Sequence, residues 1–153
     1  VFAWLGRLAS VIRHADMPIA DAFKLPERRG CDDFGCGHYL APRGLSLHKG
    51  EDFKYKPGQP VRAFAAGVVT YHGIVYEDTD EFTYIQVSAN SIDRQYMYVV
   101  PALPVGSEVK KGQVIGHAQN IAGYHSTERR KMINHVHYQV KVNGQIQNPN
   151  EYL

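Results

Sequence analysis

A chain of 153 residues with 17 Lys and Arg against 15 Asp and Glu, a net +2 with histidines neutral, has no charge excess that would draw it to nucleic acid or to a charged membrane surface. Its length suits one domain able to bury most of the surface it exposes when unfolded. No apolar run approaches the ~20 residues of a transmembrane helix, and Arg7, Arg13 and Asp16 interrupt the apolar positions that a secretory signal would need. The start at Val1 is that of a mature product or a fragment.

Trp4, Leu5, Leu8, Val11 and Ile12 recur at helical spacing, with Arg7, Arg13 and His14 on other faces, and predict an amphipathic helix over residues 1 to 15. Its apolar stripe suits packing on its own domain and docking to a protein partner equally well. Residues 17 to 47 are rich in Pro, Gly, Asp and Arg without a sustained period and predict irregular loop. Within them, Cys31 and Cys36 allow a disulfide, two free thiols or half of a zinc site. No second cysteine pair exists to complete a four-sulfur cage, so the disulfide is favoured. Closing so short a loop contributes ~2 kcal/mol on the chain-entropy estimate, and points to an oxidising compartment.

The β part begins near Glu51. A strand is predicted from Val61 to Tyr71, with Gly67 marking a bend or the close approach of another backbone. Thr83 to Ser88 alternates, and Gln95 to Val100 is aromatic and β-branched. Pro101 and Pro104 end that run; residues 105 to 116 read as turn, strand, turn, strand. Residues 117 to 134 are polar, with a helical turn predicted over Arg129 to Met132, while Arg129-Arg130-Lys131 reads as a solvated loop. In the last strand, residues 133 to 142, the period of two puts His135, His137, Gln139 and Lys141 on one face. Val136, Tyr138, Val140 and Val142 form the other, and Asn143-Gly144 predicts a tight hairpin turn. The expected architecture is mainly β: an antiparallel sheet domain with long loops over residues 31–153, preceded by the helix and a linker over residues 1–30.

Two imidazoles on one strand face suggest a metal groove. His48-Lys49-Gly50-Glu51-Asp52 offers an imidazole and a carboxylate four apart, with Gly50 permitting a sharp bend. One histidine of the last strand completes the two-His, one-Asp set of a hydrolytic zinc site, which keeps a fourth position open for an acidified water. His14, His38, His72, His117 and His125 read as surface or hydrogen-bonded structure; His38 and His125 are the two with sequence positions near the groove.

With these residues in place, the stretch from about Arg43 to Tyr152 resembles the lysostaphin/LytM-type zinc metallopeptidases, which cleave peptide cross-links in bacterial cell walls. The matching pieces are His48-Lys49-Gly50-Glu51-Asp52, Gly58-Gln59-Pro60-Val61-Arg62-Ala63, Gly67-Val68-Val69, residues 109–116 and His135-Val136-His137. The resemblance implies that His48, Asp52 and His137 are the zinc ligands, with one Zn2+ per site. It places His135 beside the attacking water, as general base or as stabiliser of the tetrahedral intermediate. One position departs: the family's Tyr-x-His motif is Tyr96-Met97-Tyr98 here, and a phenol donates a hydrogen bond but is a poor base at neutral pH. Arg43 either holds a substrate carboxylate or braces the His48 loop.

The spacing from Cys31 through Gly35, Cys36, Gly37, Tyr39 and Ala41 to Arg43 also resembles a branch that contains leukocyte cell-derived chemotaxin, a secreted vertebrate protein regarded as inactive. The cysteine count is closer to bacterial and phage members. The implied function is a zinc endopeptidase acting on peptidoglycan peptides outside the cytoplasm, secreted, periplasmic or in a phage particle. The alternative is a catalytically inactive zinc module for recognition or assembly.

Overall fold

The computed structural model describes residues 23–153, so the amphipathic helix predicted over residues 1 to 15, with its docking role, lies outside the described residues. In chain order the strands are β1 (Cys31–Asp32), β2 (Gly35–Cys36), β3 (Pro42–Arg43), β4 (Ser46–Leu47), β5 (Glu51–Lys54), β6 (Pro60–Arg62), β7 (Gly67–Tyr76), β8 (Thr79–Ala89), β9 (Ile92–Met97), β10 (Val99–Pro101), β11 (Glu108–Val109), β12 (Val114–Ala118), β13 (His135–Val142) and β14 (Gln145–Gln147). A short helix, α1 (Ile121–His125), precedes β13, and a 3-10 turn (Pro149–Tyr152) follows β14.

The apolar face of β13 organises the main sheet. Val136, Tyr138 and Val140 are fully buried, as the alternation requires. The strand pairs antiparallel with β9 along one edge, from His137↔Met97 to Val142↔Ile92. Its other edge takes β5 beside residues 135–138 and β14 beside residues 140–142. Asn143 and Gly144 both have positive φ, 50° and 79°, which suits a type I′ turn and fixes the β13–β14 register. The full antiparallel order is β11-β7-β8-β9-β13-β14, and a second sheet has the order β10-β12-β6. Beneath them Phe64 packs on Phe53, Tyr96 and Tyr138, with ring centroids 4.6–5.4 Å apart. The buried Tyr96 hydroxyl accepts the Phe64 backbone N–H at 2.9 Å, so the aromatic core leaves that donor satisfied.

The structure departs from the expected secondary structure at three places in the β part. The strand expected from Val61 to Tyr71 splits into β6 and β7, which belong to different sheets. Gly67 opens β7 at a close approach, because a Cβ there would stand 2.6 Å from the Ser88 carbonyl oxygen. The strand expected from Gln95 to Val100 breaks at Tyr98, whose φ of 67° turns the chain from one sheet into the other. The helical turn expected over Arg129 to Met132 is not helical; the helix lies earlier, as α1, where the Asn120 side chain caps the Gly123 N–H. Residues 130–132 are held by polar side chains instead: Asp33 accepts the Lys131 N–H and Ser126 the Met132 N–H.

Residues 23–47 are also more ordered than an irregular loop. A disulfide joins Cys31 to Cys36 across the β1–β2 hairpin, and β3–β4 forms a second hairpin. Upstream, Phe23 packs on Phe64 and Arg28 bridges to Phe53, so residues 23–30 lie against the sheet domain.

Candidate metal centre

Register brings the metal-ligand candidates together. β5 and β13 run antiparallel with Asp52 opposite His137, and His48 reaches the same spot from the turn before β5. His48 Nε2 lies 2.9 Å from His137 Nδ1 and 3.3 Å from Asp52 Oδ1, and His137 Nδ1 lies 3.0 Å from Asp52 Oδ1. Gly50 serves this arrangement through space as well as through a bend: a Cβ on it would meet the Tyr138 carbonyl at 2.5 Å and the His137 ring at 2.6 Å. The chain bends at Gly50, as expected, with φ outside the positive range.

The donor set fits a zinc ion. His48 Nδ1 lies 2.9 Å from the His38 carbonyl, to which it donates its proton, and its Nε2 is left as a lone pair. His137 Nε2 lies 3.0 Å from Gln139 Oε1, which accepts its proton and leaves Nδ1 as a lone pair. Two nitrogen lone pairs and a carboxylate oxygen at such distances require a cation among them, a proton or a metal ion, and these are preferred zinc donors. Burial disfavours the charged form of Asp52, yet a cation shared with the facing His137 and His48 nitrogens, with His135 nearby, outweighs it and holds the carboxyl well below its usual range.

Behind the three residues stands a supporting shell. The Gln139 amide donates to Gln95, Gln95 to Gln86, and Gln86 to the Thr70 hydroxyl, at 3.2, 2.9 and 3.0 Å. This ladder crosses β13, β9, β8 and β7 and points every amide so that Gln139 Oε1 faces His137. On the other side the buried Arg29 donates to Asp52 Oδ2 at 2.9 Å and to both oxygens of Asp32 at 2.8 and 2.9 Å. Asp32 in turn accepts the Phe34 and Ile133 backbone N–H groups, tying the disulfide-closed hairpin to the approach of β13. Burial alone would raise the Asp32 pKa; the hydrogen bonds from Arg29, Ile133 and Phe34 win, and it is lowered.

A cavity of about 280 Å³ opens above these residues, lined also by His135, Tyr98, Tyr76, His125, Phe34 and Arg43. His135 Nδ1 donates to the Ile133 carbonyl at 2.7 Å, which turns Nε2 toward the site, 3.6 Å from Asp52 Oδ2. Burial lowers the His135 pKa despite Asp52, so its neutral, proton-accepting form is favoured. Tyr98 meets the His135 ring edge to face at 5.5 Å, and burial pushes its phenol far up, with Tyr76 adding to the effect. The Arg43 guanidinium bonds the Cys36 and Pro42 carbonyls while lining the cavity, so it braces its loop and borders the groove.

Thus the structure brings His48, Asp52, His137, His135, Tyr98 and Arg43 to one place, and adds His125 from the histidines read as surface or structural. His38 contributes its carbonyl. Arg29, Tyr76 and the glutamine ladder escaped the sequence reading; the shared strand face of His137 and Gln139 was the one available signal for them.

The profile of peptidase family M23 matches residues 46–149. The DD-carboxypeptidase/endopeptidase Mpg of Neisseria meningitidis is 30% identical over 105 residues, which are 67% of this chain and 22% of that protein. Lysostaphin, the antimicrobial peptidase of Staphylococcus simulans, superposes with a TM-score of 0.58 at 27% identity, over 76% of this chain and 48% of its own. A variant of the catalytic domain of the prophage-encoded M23 protein EnpA from Enterococcus faecalis gives a TM-score of 0.57 at 26% identity, over 77% and 89% of the two chains. The chain thus spans about a fifth of the curated relative and about half of lysostaphin.

Proposed function

The chain belongs to peptidase family M23, and from that premise we propose that it is a zinc-dependent endopeptidase domain hydrolysing peptide bonds of bacterial peptidoglycan. The observation that carries this reading is the convergence of His48 Nε2, Asp52 Oδ1 and His137 Nδ1, each imidazole engaged through its other nitrogen. Zinc held there supplies Lewis acidity for the scissile carbonyl and for the attacking water. His135, fixed by the Ile133 carbonyl, offers Nε2 to take the proton of that water and return it to the leaving amine. Tyr98, kept protonated by burial, donates its hydroxyl where negative charge develops on the carbonyl oxygen. Arg43, at the border of the groove, is placed to bind a substrate carboxylate.

The relatives support the substrate class: the names of two of them state a carboxypeptidase/endopeptidase and an antimicrobial peptidase. The Cys31–Cys36 disulfide supports an extracytoplasmic setting. Among the described residues no helix is long and apolar enough to cross a membrane. A second reading rests on Tyr98, which stands where the family's Tyr-x-His motif has its histidine: a zinc module that binds without cutting.

The deciding experiment incubates zinc-loaded protein with purified cell-wall material from several bacteria and measures the masses of the released fragments. Peptides with new termini are expected, and they should disappear with His135→Ala. Intact walls with the unaltered protein, but cut walls with Tyr98→His, would establish the binding module instead.

A further inference from the structure

Tyr98 does not act alone. Its hydroxyl lies 2.9 Å from the Tyr76 hydroxyl, and the Tyr76 hydroxyl lies 3.4 Å from His125 Nε2. The three side chains come from separate elements: the corner between β9 and β10, the end of β7, and the last residue of α1. All of them line the cavity above the metal ligands. Tyr98 is held in the left-handed φ region, a conformation that is costly for a bulky residue and is retained where the surrounding structure over-determines it. His125 is fixed on two sides, edge-on to Tyr76 at 6.3 Å between ring centroids and tilted on Phe34 at 6.1 Å.

From this geometry we infer that His125, Tyr76 and Tyr98 form a one-directional chain of donors that aims the Tyr98 hydroxyl proton into the groove, in place of the imidazole that the family's Tyr-x-His motif would supply. The inference rests on the proposed hydrolysis for its role in the reaction, but not for the chain itself.

Proton counting leaves three polarities, and the floor of the groove selects among them. Each hydroxyl has one proton and two lone pairs, so the two bonds run outward, His125 Nε2–H to Tyr76 and Tyr76 O–H to Tyr98, or inward, or converge on Tyr76 as common acceptor. In the inward and convergent polarities Tyr98 would present only lone pairs to a groove floor already made of acceptors: the Asp52 carboxylate and the facing nitrogens of His48, His137 and His135. In the outward polarity it presents a proton there, and each bond polarises the next. Burial keeps both phenols protonated, so each has one proton to donate. Tyr98 is then the group that touches substrate oxygen, and Tyr76 and His125 are positioning residues.

The chain fixes a tautomer that can be read without any turnover. In zinc-loaded protein at mildly alkaline pH, nitrogen-15 NMR of the imidazoles, with the His125 signal identified by its loss in His125→Leu, should find His125 protonated on Nε2. A proton on Nδ1 with a bare Nε2 reverses the chain and overturns the inference. In the cell-wall assay, Tyr76→Phe and His125→Leu should each lower kcat about tenfold, the worth of one hydrogen bond at the transition state, with KM little changed. His125→Gln, which can still donate, should restore most of that loss, whereas a merely structural role would move KM or stability and would not be rescued. Unchanged kcat in both Tyr76→Phe and His125→Leu overturns the inference even if hydrolysis is real. An unaltered protein that cuts nothing overturns the proposed function instead, and a bare His125 Nε2 would still overturn the chain.

Discussion

Replacing Arg29 by Met tests how far the metal centre depends on its support. Arg29 is 4% exposed, and its guanidinium makes three N–H bonds of 2.8–2.9 Å, one to Asp52 and two to Asp32. Removing it strands buried carboxylate charge, which costs about 3–5 kcal/mol in comparable buried pairs. Asp52 also loses the donor that occupies Oδ2 and orients Oδ1 toward the two imidazoles. Loss of such a partner weakens metal binding about 10–100-fold. At about 30-fold, the zinc-dependent part of the stability falls by RT ln 30, about 2 kcal/mol, when zinc is saturating for both proteins. Urea unfolding with a chelator measures the first quantity; unfolding in excess zinc and competition against a chromogenic chelator measure the second. Zinc affinity within about twofold of the unaltered protein, together with a chelated stability loss under ~1 kcal/mol, would refute the reasoning.

Gly50→Ala should distort the site without touching a ligand, because the new methyl would press on the Tyr138 carbonyl and the His137 ring; weaker zinc binding by calorimetry is expected, and unchanged binding would show that the backbone gives way cheaply. Gln139→Met removes the acceptor of His137 Nε2–H and should lower zinc affinity about 10–100-fold in the same chelator competition. Asp32 has a depressed folded pKa, so its contribution to stability is complete above the ordinary carboxylate range, near pH ~4, and is lost as pH falls through its folded value. The acid limb of a stability–pH curve measured with chelator should therefore be shallower in Asp32→Asn.

What the sequence made legible was local. The alternation of β13 gave its buried face, Asn143-Gly144 its turn, and the His-x-Gly-x-Asp and His-x-His spacings the residues that meet at the metal centre. Period-two reasoning could not tell that the polar face is also covered: His135 and Gln139 are buried as well, beneath loops whose sequence has no period. Strand propensity joined residues on either side of Tyr98 into one strand, because nothing in Tyr-Met-Tyr-Val-Val announces a left-handed residue. Arg29 stood out least, since an arginine 23 residues from Asp52 reads as surface charge until the fold buries both. His125 stood out only by its place in the loop before β13, and its partner Tyr76, 49 positions away, was not legible.

The account stands most directly on zinc held by His48, Asp52 and His137. Elemental analysis of purified protein, dialysed against zinc and then freed of excess, should give about one zinc per chain, and none for the His48→Ala, His137→Ala double variant with its β structure intact by circular dichroism. A folded, unaltered protein that takes up no zinc, or a double variant that keeps it, would contradict the account.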